Sequence, residues 1–448
     1  MNYSNVLNRS HNSMRRFVIL CTLGLTLTAS LRAQMPDQLD LRTAVTYALD
    51  NNYAIRQARE RIREQEGLIV QVKGAVLPNV GLSGFYSKED DAFSNFINVD
   101  QNWQIALEVS QLVYSGGGVR AALDAQKYVR ESALLELEAV INNELLRVRT
   151  NFYDVLLARE QIGVQEQNVE LLEEQLTTAR NRLEAGTVSN FDVLRAEVEL
   201  ANAQPALIRA RNDYRVSIDE LRYSSGYTNA TAVEMEKVPE ILGDLNFEPV
   251  SFELAPALNS ARTNRPELRQ LETLMQARES GVVIAKSGRM PTVSVNGGYA
   301  LRRDFSSSSF GDSFTGWTLG AAANWAIWDG ASTRGQITQA LSQKEQARLA
   351  LLDAELAVEV EVRRALANLD GATELTEAAV KVVGQAEEAV RLADARYGAG
   401  TTTQLDVLAA QVALTSARNN LVQANYAYNI ASANVRRAIG QSDVLIQR

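Results

Sequence analysis

The feature that most constrains this chain is an internal duplication, because its second half repeats the residue pattern of its first half. The matches keep their order along the chain at an offset of about 213 residues, which is typical of a fold built from two copies of one unit. The longest match is the segment Arg-x-x-x-Gly-Thr-x-x-x-x-Asp-Val-Leu, which begins at Arg182 and again at Arg396. Other matched pairs are Ala48 with Ala261, Asn51 with Asn264, Leu77-Pro78 with Met290-Pro291, Tyr214 with Tyr428, and Gly226 with Gly440.

The duplication predicts how the chain is divided. We predict a signal segment over 1–33, a first repeat over 34–227, a joining segment over 228–253, a second repeat over 254–440 and a tail over 441–448. Each repeat should contain a helix, two strands, a very long helix, a turn and a further helix. In the first repeat the predicted helices are 41–76, ending before Pro78, 119–184 with an interruption at Gly163, and 190–223.

The long helical run is unusual for a globular domain, since it would extend roughly 100 Å at about 1.5 Å per residue. Its apolar residues step by threes and fours, which indicates a coiled-coil seam. They are Leu134, Leu137, Ile141, Leu145, Val148, Phe152 and Val155, and the second repeat has Val358, Val362, Leu366 and Leu369. An ordinary coiled-coil rod would explain these helices but not the strands.

The N-terminal segment has the pattern of an export signal. Arg15 and Arg16 precede an apolar stretch that begins at Phe17, and small and polar residues follow as far as Ala33. A single membrane anchor is the alternative, but the uncharged stretch over 17–31 is shorter than the ~20 residues that span a bilayer. We therefore expect cleavage, and no later segment has the length and apolarity of a transmembrane helix.

Composition excludes several functions. The only cysteine, Cys21, and the only histidine, His11, both lie in the predicted signal, so the exported chain would lack thiolate nucleophiles, disulfides, histidine bases and the usual zinc ligands. The formal net charge of −9 disfavours nucleic acid as a partner. We predict no catalytic residue, no metal site and no cofactor; a carboxylate-dependent hydrolase remains a rival, but the chain shows no paired acids on strand ends or nucleophile elbow.

Two-residue alternation of apolar and polar side chains predicts four strands, near 80–86, 103–109, 293–301 and 317–327. Pairing the first with the second and the third with the fourth gives two hairpins with polar loops, which resembles the pattern of transmembrane β-strands. We expect an aromatic belt at the membrane made of Trp103, Tyr299, Trp317 and Trp325. The alternative is a soluble sheet with one buried face. Four strands cannot close a barrel, so a membrane location requires two or three copies of the chain.

The doubled plan and the repeated Arg-x-x-x-Gly-Thr-x-x-x-x-Asp-Val-Leu turn resemble the TolC-type outer-membrane efflux protein family, over almost the whole chain after the signal. The resemblance implies a mainly α protein with transmembrane β structure. Three protomers would each give four strands to a 12-stranded β-barrel, which a long α-helical barrel continues across the periplasm. It also implies an outer-membrane channel subunit of a tripartite efflux or type I secretion system. Its partners would be itself as a homotrimer, outer-membrane lipid, a periplasmic adaptor (membrane fusion) protein and an inner-membrane pump of the RND, ABC or MFS type.

The resemblance also implies roles for the two turns that follow the long helices. The positions that match the family's adaptor-docking tip are Gly186, Thr187, Val188, Ser189, Gly400, Thr401 and Thr402. The positions that match its periplasmic gate are Asp192, Tyr397 and Asp406. Thr402 stands where the family has an arginine and Ala409 replaces a second acid, so we expect a weaker or differently built latch. The alternative is that the glycines and aspartates only cap helices.

One further function stays open at this stage. A structural coiled-coil protein of the periplasm or cell surface would also have a signal and long helices, but it would be a detergent-independent oligomer absent from the outer membrane. Membrane fractionation distinguishes it from a channel.

Overall fold

The computed structural model describes residues 38–88, 101–227, 239–304 and 309–441. The predicted signal over 1–33, most of the predicted tail and part of the joining segment, 228–238, lie outside the described residues. Within the described part of the chain, no helix is both long enough and apolar enough to cross a membrane.

Each half of the chain has the same order of elements. The first half contains β1 (Gln38–Leu39), α1 (Leu41–Asn51), α2 (Tyr53–Gly74), β2 (Asn79–Lys88), β3 (Gln101–Ser115), α3 (Gly118–Glu184) and α4 (Asn190–Ser225). The second half contains β4 (Glu240–Ile241), α5 (Leu254–Asn264), α6 (Pro266–Ser287), β5 (Thr292–Arg303), β6 (Ser313–Asn324), α7 (Ser332–Gly398) and α8 (Gln404–Ala438). The predicted internal repeat is therefore confirmed as a repeat of structure.

The long helices α3 and α7 have 67 residues each. The interruption predicted at Gly163 was wrong, because α3 runs through it. A single glycine in a helix costs only about 1 kcal/mol relative to alanine, which the packing of its neighbours offsets. The seam side chains from Leu145 to Val155 are buried with α1, α4 and the joining segment in one apolar cluster, and Val358 to Leu369 form the equivalent cluster in the second half.

The single helix predicted over 41–76 was also wrong, since it is divided into α1 and α2 at Asn52. The Asn52 side chain caps α2 by accepting hydrogen bonds from the N–H groups of Ala54 (2.8 Å) and Ile55 (3.2 Å). Its amide nitrogen donates to Glu144 Oε2 and to the Ser224 carbonyl, both at 2.8 Å. A cap with two long-range bonds is more favourable here than a continuous helix.

The same break occurs in the second half with different chemistry. Arg265 occupies the position of Asn52, and Pro266 begins α6, where its missing N–H is no loss. The buried Arg265 guanidinium pairs with Glu361 on α7 (2.5 Å), and Arg437 on α8 pairs with the same carboxylate. An ion-pair network thus replaces the amide cap.

The four longer strands form one antiparallel sheet in the order β2-β3-β5-β6. Both predicted hairpins are confirmed, and β3 pairs with β5 to join the two halves. The fourth strand ends at Asn324, so Trp325 and Ile327 lie beyond it. Among the described residues, β2 and β6 each have an edge without a strand partner.

The helices extend away from the sheet in a matching order. Beside the sheet, α2 packs on α3, α3 on α6 and α6 on α7. Towards the other end, α4 packs on α3, α3 on α8 and α8 on α7. In both layers α7 is at one edge, and α2 or α4 is at the other.

Candidate functional site

The molecule has two ends with different chemistry: the helix turns furthest from the sheet, and the sheet itself. At the first turn, Gly186 has φ +71 and ends α3. Its N–H donates to the Leu183 carbonyl and that of Thr187 to the Arg182 carbonyl, both at 2.9 Å. This pair of bonds is the Schellman motif, which needs a left-handed residue. Gly400 (φ +75) ends α7 with the same two bonds.

The predicted gate aspartates cap the helices that follow these turns. Asp192 Oδ2 accepts from the Ser189 N–H (2.9 Å) and hydroxyl (2.7 Å), while the Ser189 hydroxyl caps α4 in return. Bonds from the Ser189 side chain and backbone lower the pKa of Asp192. The other predicted tip residue, Val188, lies in the same turn. The carboxylates of Asp192 and Asp406 each lie in the first turn of their own helix, where the helix dipole is positive.

The second turn holds its aspartate more firmly. Thr403 and Asp406 form the equivalent capping box at the start of α8. Asp406 Oδ2 accepts an additional bond from the Thr402 hydroxyl. The hydroxyls of Thr402 and Thr403, together with the Thr403 N–H, lower the pKa of Asp406 to about 2. Thr402, the residue expected where the family has an arginine, therefore bonds within its own turn.

The third predicted gate residue, Tyr397, contacts the other turn. The Arg182 guanidinium lies over its ring, 4.3 Å from the ring centroid. Arg182 was not singled out from the sequence as a gate residue, although Arg182 is the first residue of the repeated turn motif and lies one helical turn before Gly186. In the described contacts, Asp192 and Asp406 bond to their own caps and not to Tyr397.

The register of the sheet places three of the four predicted belt residues on one face. Tyr299 on β5 is opposite Leu107 on β3 and opposite Trp317 on β6, so these three side chains share one face. Trp103 lies four residues from Leu107 on β3, and this even spacing places it on the same face. The Trp317 side chain is 76% exposed. Trp325 lies just past the end of β6, where its indole N–H donates to the Arg289 carbonyl (3.0 Å).

Over its middle rows, the opposite face of the sheet is polar or small. Alternation along the paired strands assigns to it Ser83, Gln104, Ala106, Glu108, Ser110, Asn296, Gly298, Ala300, Gly316, Thr318 and Gly320. A sheet with one exposed apolar face and one small, polar face is typical of a strand pair between lipid and water.

Comparison with known proteins agrees with this geometry. The profile of the family described as "Outer membrane efflux protein" matches residues 44–227 and 257–441. The chain is 26% identical to Protein CyaE of Bordetella pertussis over 386 residues, which cover 86% of this chain and 81% of that protein. It is 24% identical to Outer membrane protein TolC of Escherichia coli, with 83% and 76% covered. The outer membrane channel CmeC of Campylobacter jejuni has the same fold, with a TM-score of 0.77, 16% identity and 90% and 87% covered.

The fold and its two ends define a channel protein of the outer membrane whose helices extend into the periplasm. The chain belongs to the outer membrane efflux protein family, and both of its halves match the family profile. Members of this family are channels of efflux and secretion systems, and that is the class of function of this chain.

Proposed function

We propose that three copies of this chain form one pore, with twelve strands in the outer membrane. The main support is the sheet, whose β2 and β6 edges have no partner among the described residues. Open strand edges are not tolerated in hydrocarbon, so the β6 edge of one copy pairs with the β2 edge of the next. Two copies would give eight strands and three give twelve; the family resemblance favours three. Trp103, Tyr299, Trp317 and Trp325 form the aromatic belt.

The edge helices support the same arrangement. In this trimer α7 of one copy packs against α2 and α4 of its neighbour. An exposed apolar row with steps of three and four runs along α7: Leu349, Leu352, Leu356 and Val360. Val70 on α2 is 69% exposed and Ile208 on α4 is 65% exposed. Burying these side chains between copies removes apolar surface from water.

The pore is a passive conduit that performs no catalysis. An inner-membrane pump of the RND, ABC or MFS type supplies the energy, and a periplasmic adaptor connects the pump to the channel. The adaptor binds the tip formed by Gly186 to Ser189 and Gly400 to Thr402. Asp192, Tyr397 and Asp406 line the periplasmic gate, and the Arg182–Tyr397 contact is the latch between the two turns of one copy.

The gate opens by sliding of one helix pair past the other. The α3/α4 pair is held by an apolar cluster that includes Leu176 and Ala196. The α3/α8 seam between the pairs combines a smaller apolar contact, Leu172 with Leu408, with polar bonds: Asp154 with Tyr426 (2.6 Å), Gln167 with Arg418 (2.8 Å) and Asn168 with Thr415 (2.9 Å). Each such bond contributes only about 1 kcal/mol net and can exchange with water. The α3/α8 contact between the pairs is therefore broken before the contacts between the two helices of one pair.

Single-channel recording in a planar bilayer tests conduction. A purified trimer that never conducts would refute the proposed pore. For the gate, the Asn168→Cys/Thr415→Cys double variant should lose its larger conductance level on oxidation and regain it on reduction. The chain has no other cysteine outside the predicted signal.

The matched control for the gate is Ala179→Cys/Ala196→Cys, within the apolar cluster of one pair. Oxidation of this variant should leave opening unchanged, because α3 and α4 move together. Equal effects of the two crosslinks would show that the seam is not where movement occurs.

A further inference from the structure

Charge is unevenly placed on the polar face of the sheet. Alternation along β2, β3, β5 and β6 assigns about twenty side chains to this face. Within the described strands, only Glu108 and Arg302 among them are charged. Every other member is small, neutral or, at the outer end, aromatic. Two charges in an otherwise neutral wall therefore dominate the potential along that wall.

Glu108 lies in the middle of this face and points into open space. It is exposed, and no cation of the described residues lies within ion-pair distance of its carboxylate. Gly298 is directly opposite it in the register. A side chain on Gly298 would approach Glu108 Cγ to 3.8 Å and Thr318 Oγ1 to 3.3 Å. Glu108 and Gly298 line one end of a depression of about 260 Å³ that extends along the face to Arg302.

Arg302 lies further out on the same face and is held in place. It is opposite Gln104 on one side and Phe314 on the other. Its guanidinium stacks on the Phe314 ring, 4.6 Å from the centroid. Along β5, Arg302 lies four residue steps from Gly298, which is opposite Glu108, a distance of about 13 Å along the strand. The carboxylate and the guanidinium are therefore separate charges and not an ion pair.

We propose that Glu108 determines the charge selectivity of the pore within its membrane segment, a role that rests on the trimeric channel proposed above. Three copies of Glu108 form one ring of carboxylates that favours cations. The Arg302 residues, whose guanidinium groups stack on Phe314, form an opposing ring at the outer mouth. The channel therefore passes cationic and zwitterionic cargo more readily than anionic cargo of the same size.

The dimensions decide whether one ring can act across the whole bore. Twelve strands spaced about 4.8 Å apart and tilted by about 40° place the backbone roughly 12 Å from the barrel axis. Carboxylates extending inward lie within about one Debye length of the axis at 0.1 M salt, where that length is ~10 Å. At 1 M salt it is ~3 Å, so the selectivity should vanish.

Reversal potentials of single trimers in a KCl gradient test this proposal. At or below 0.1 M salt the wild-type pore should prefer K⁺ to Cl⁻, and Glu108→Gln should lower that permeability ratio by about twofold or more. Arg302→Gln should raise the ratio. At 1 M salt all three should coincide.

A rescue variant separates charge from a local disturbance of the sheet. Thr318 lies in the same row as Glu108, across Gly298, so adding Thr318→Glu to the Glu108→Gln variant should restore the cation preference. An unchanged ratio in Glu108→Gln, with normal conductance, would overturn this role for Glu108 while leaving the pore intact. A wild-type trimer that does not conduct would overturn the pore and this proposal together.

Discussion

Gly226, at the end of α4, offers a sharp test of the packing between the helices. It has φ +79 and completes the same helix-end bonds as the tip glycines, with its N–H on the Tyr223 carbonyl. Unlike them it is enclosed. A Cβ built on Gly226 would lie 2.4 Å from the Asn51 carbonyl oxygen and 2.9 Å from Asn52 Cα. Both contacts are backbone atoms at the junction of α1 and α2.

Gly186→Ala is the matched control for Gly226→Ala. Gly186 has φ +71 and nothing within 4 Å of an added Cβ. The left-handed backbone costs an alanine about 1–2 kcal/mol at either position. Only at Gly226 must the α1–α2 junction also move, which adds about 1–3 kcal/mol for overpacking. We therefore expect total losses of about 2–5 kcal/mol for Gly226→Ala, against the 1–2 kcal/mol of the backbone alone.

Urea unfolding of the detergent-solubilised protein, followed by far-ultraviolet circular dichroism, measures both variants. The Gly226→Ala midpoint should lie clearly below that of Gly186→Ala. If the two midpoints coincide, the close approach of α4 to the α1–α2 junction is not a constraint on the fold, and the reasoning fails.

Three further outcomes are expected. The pKa of Asp406 is lowered to about 2 in the folded protein. Its stabilisation of α8 is therefore complete above about pH 4 and is lost as the pH falls through 2. Hydrogen exchange at the start of α8, corrected for intrinsic rates, should show loss of protection only in that acidic range. Arg182→Ala removes the contact on Tyr397, worth about 0.5–1 kcal/mol at an exposed site, and should raise the open fraction of single channels, whereas Arg182→Lys should restore it in part. Trp317→Arg should reduce the outer-membrane yield of trimer, since arginine on the lipid-facing side of a barrel strand costs about 0–1 kcal/mol at the interface and up to about 2–4 kcal/mol at the bilayer centre. The adjacent Thr318→Arg, on the polar face, should not reduce the yield, and equal yields would contradict the assignment of faces.

Local patterns determined much of this protein. The duplication, the four strands, both hairpins and the turns at Gly186 and Gly400 followed from alternation, helical periodicity and the positions of proline and glycine. These features depend on bonds between residues a few positions apart, such as the N–H of Thr187 on the Arg182 carbonyl. Bonds between residues so close in the chain can be predicted directly from local sequence patterns.

Tertiary structure decided the rest. The break at Asn52 depends on Glu144 and Ser224, which are far away in the chain. Leu134 fits the apolar spacing of the seam, yet it is 42% exposed, because the packing partner of α3 changes along its length. The pairing of β3 with β5, which puts Glu108 beside Gly298, and the contact of Arg182 with Tyr397 likewise join distant segments. Such contacts are set by the packing of whole helices and strands, and no local pattern encodes those distances.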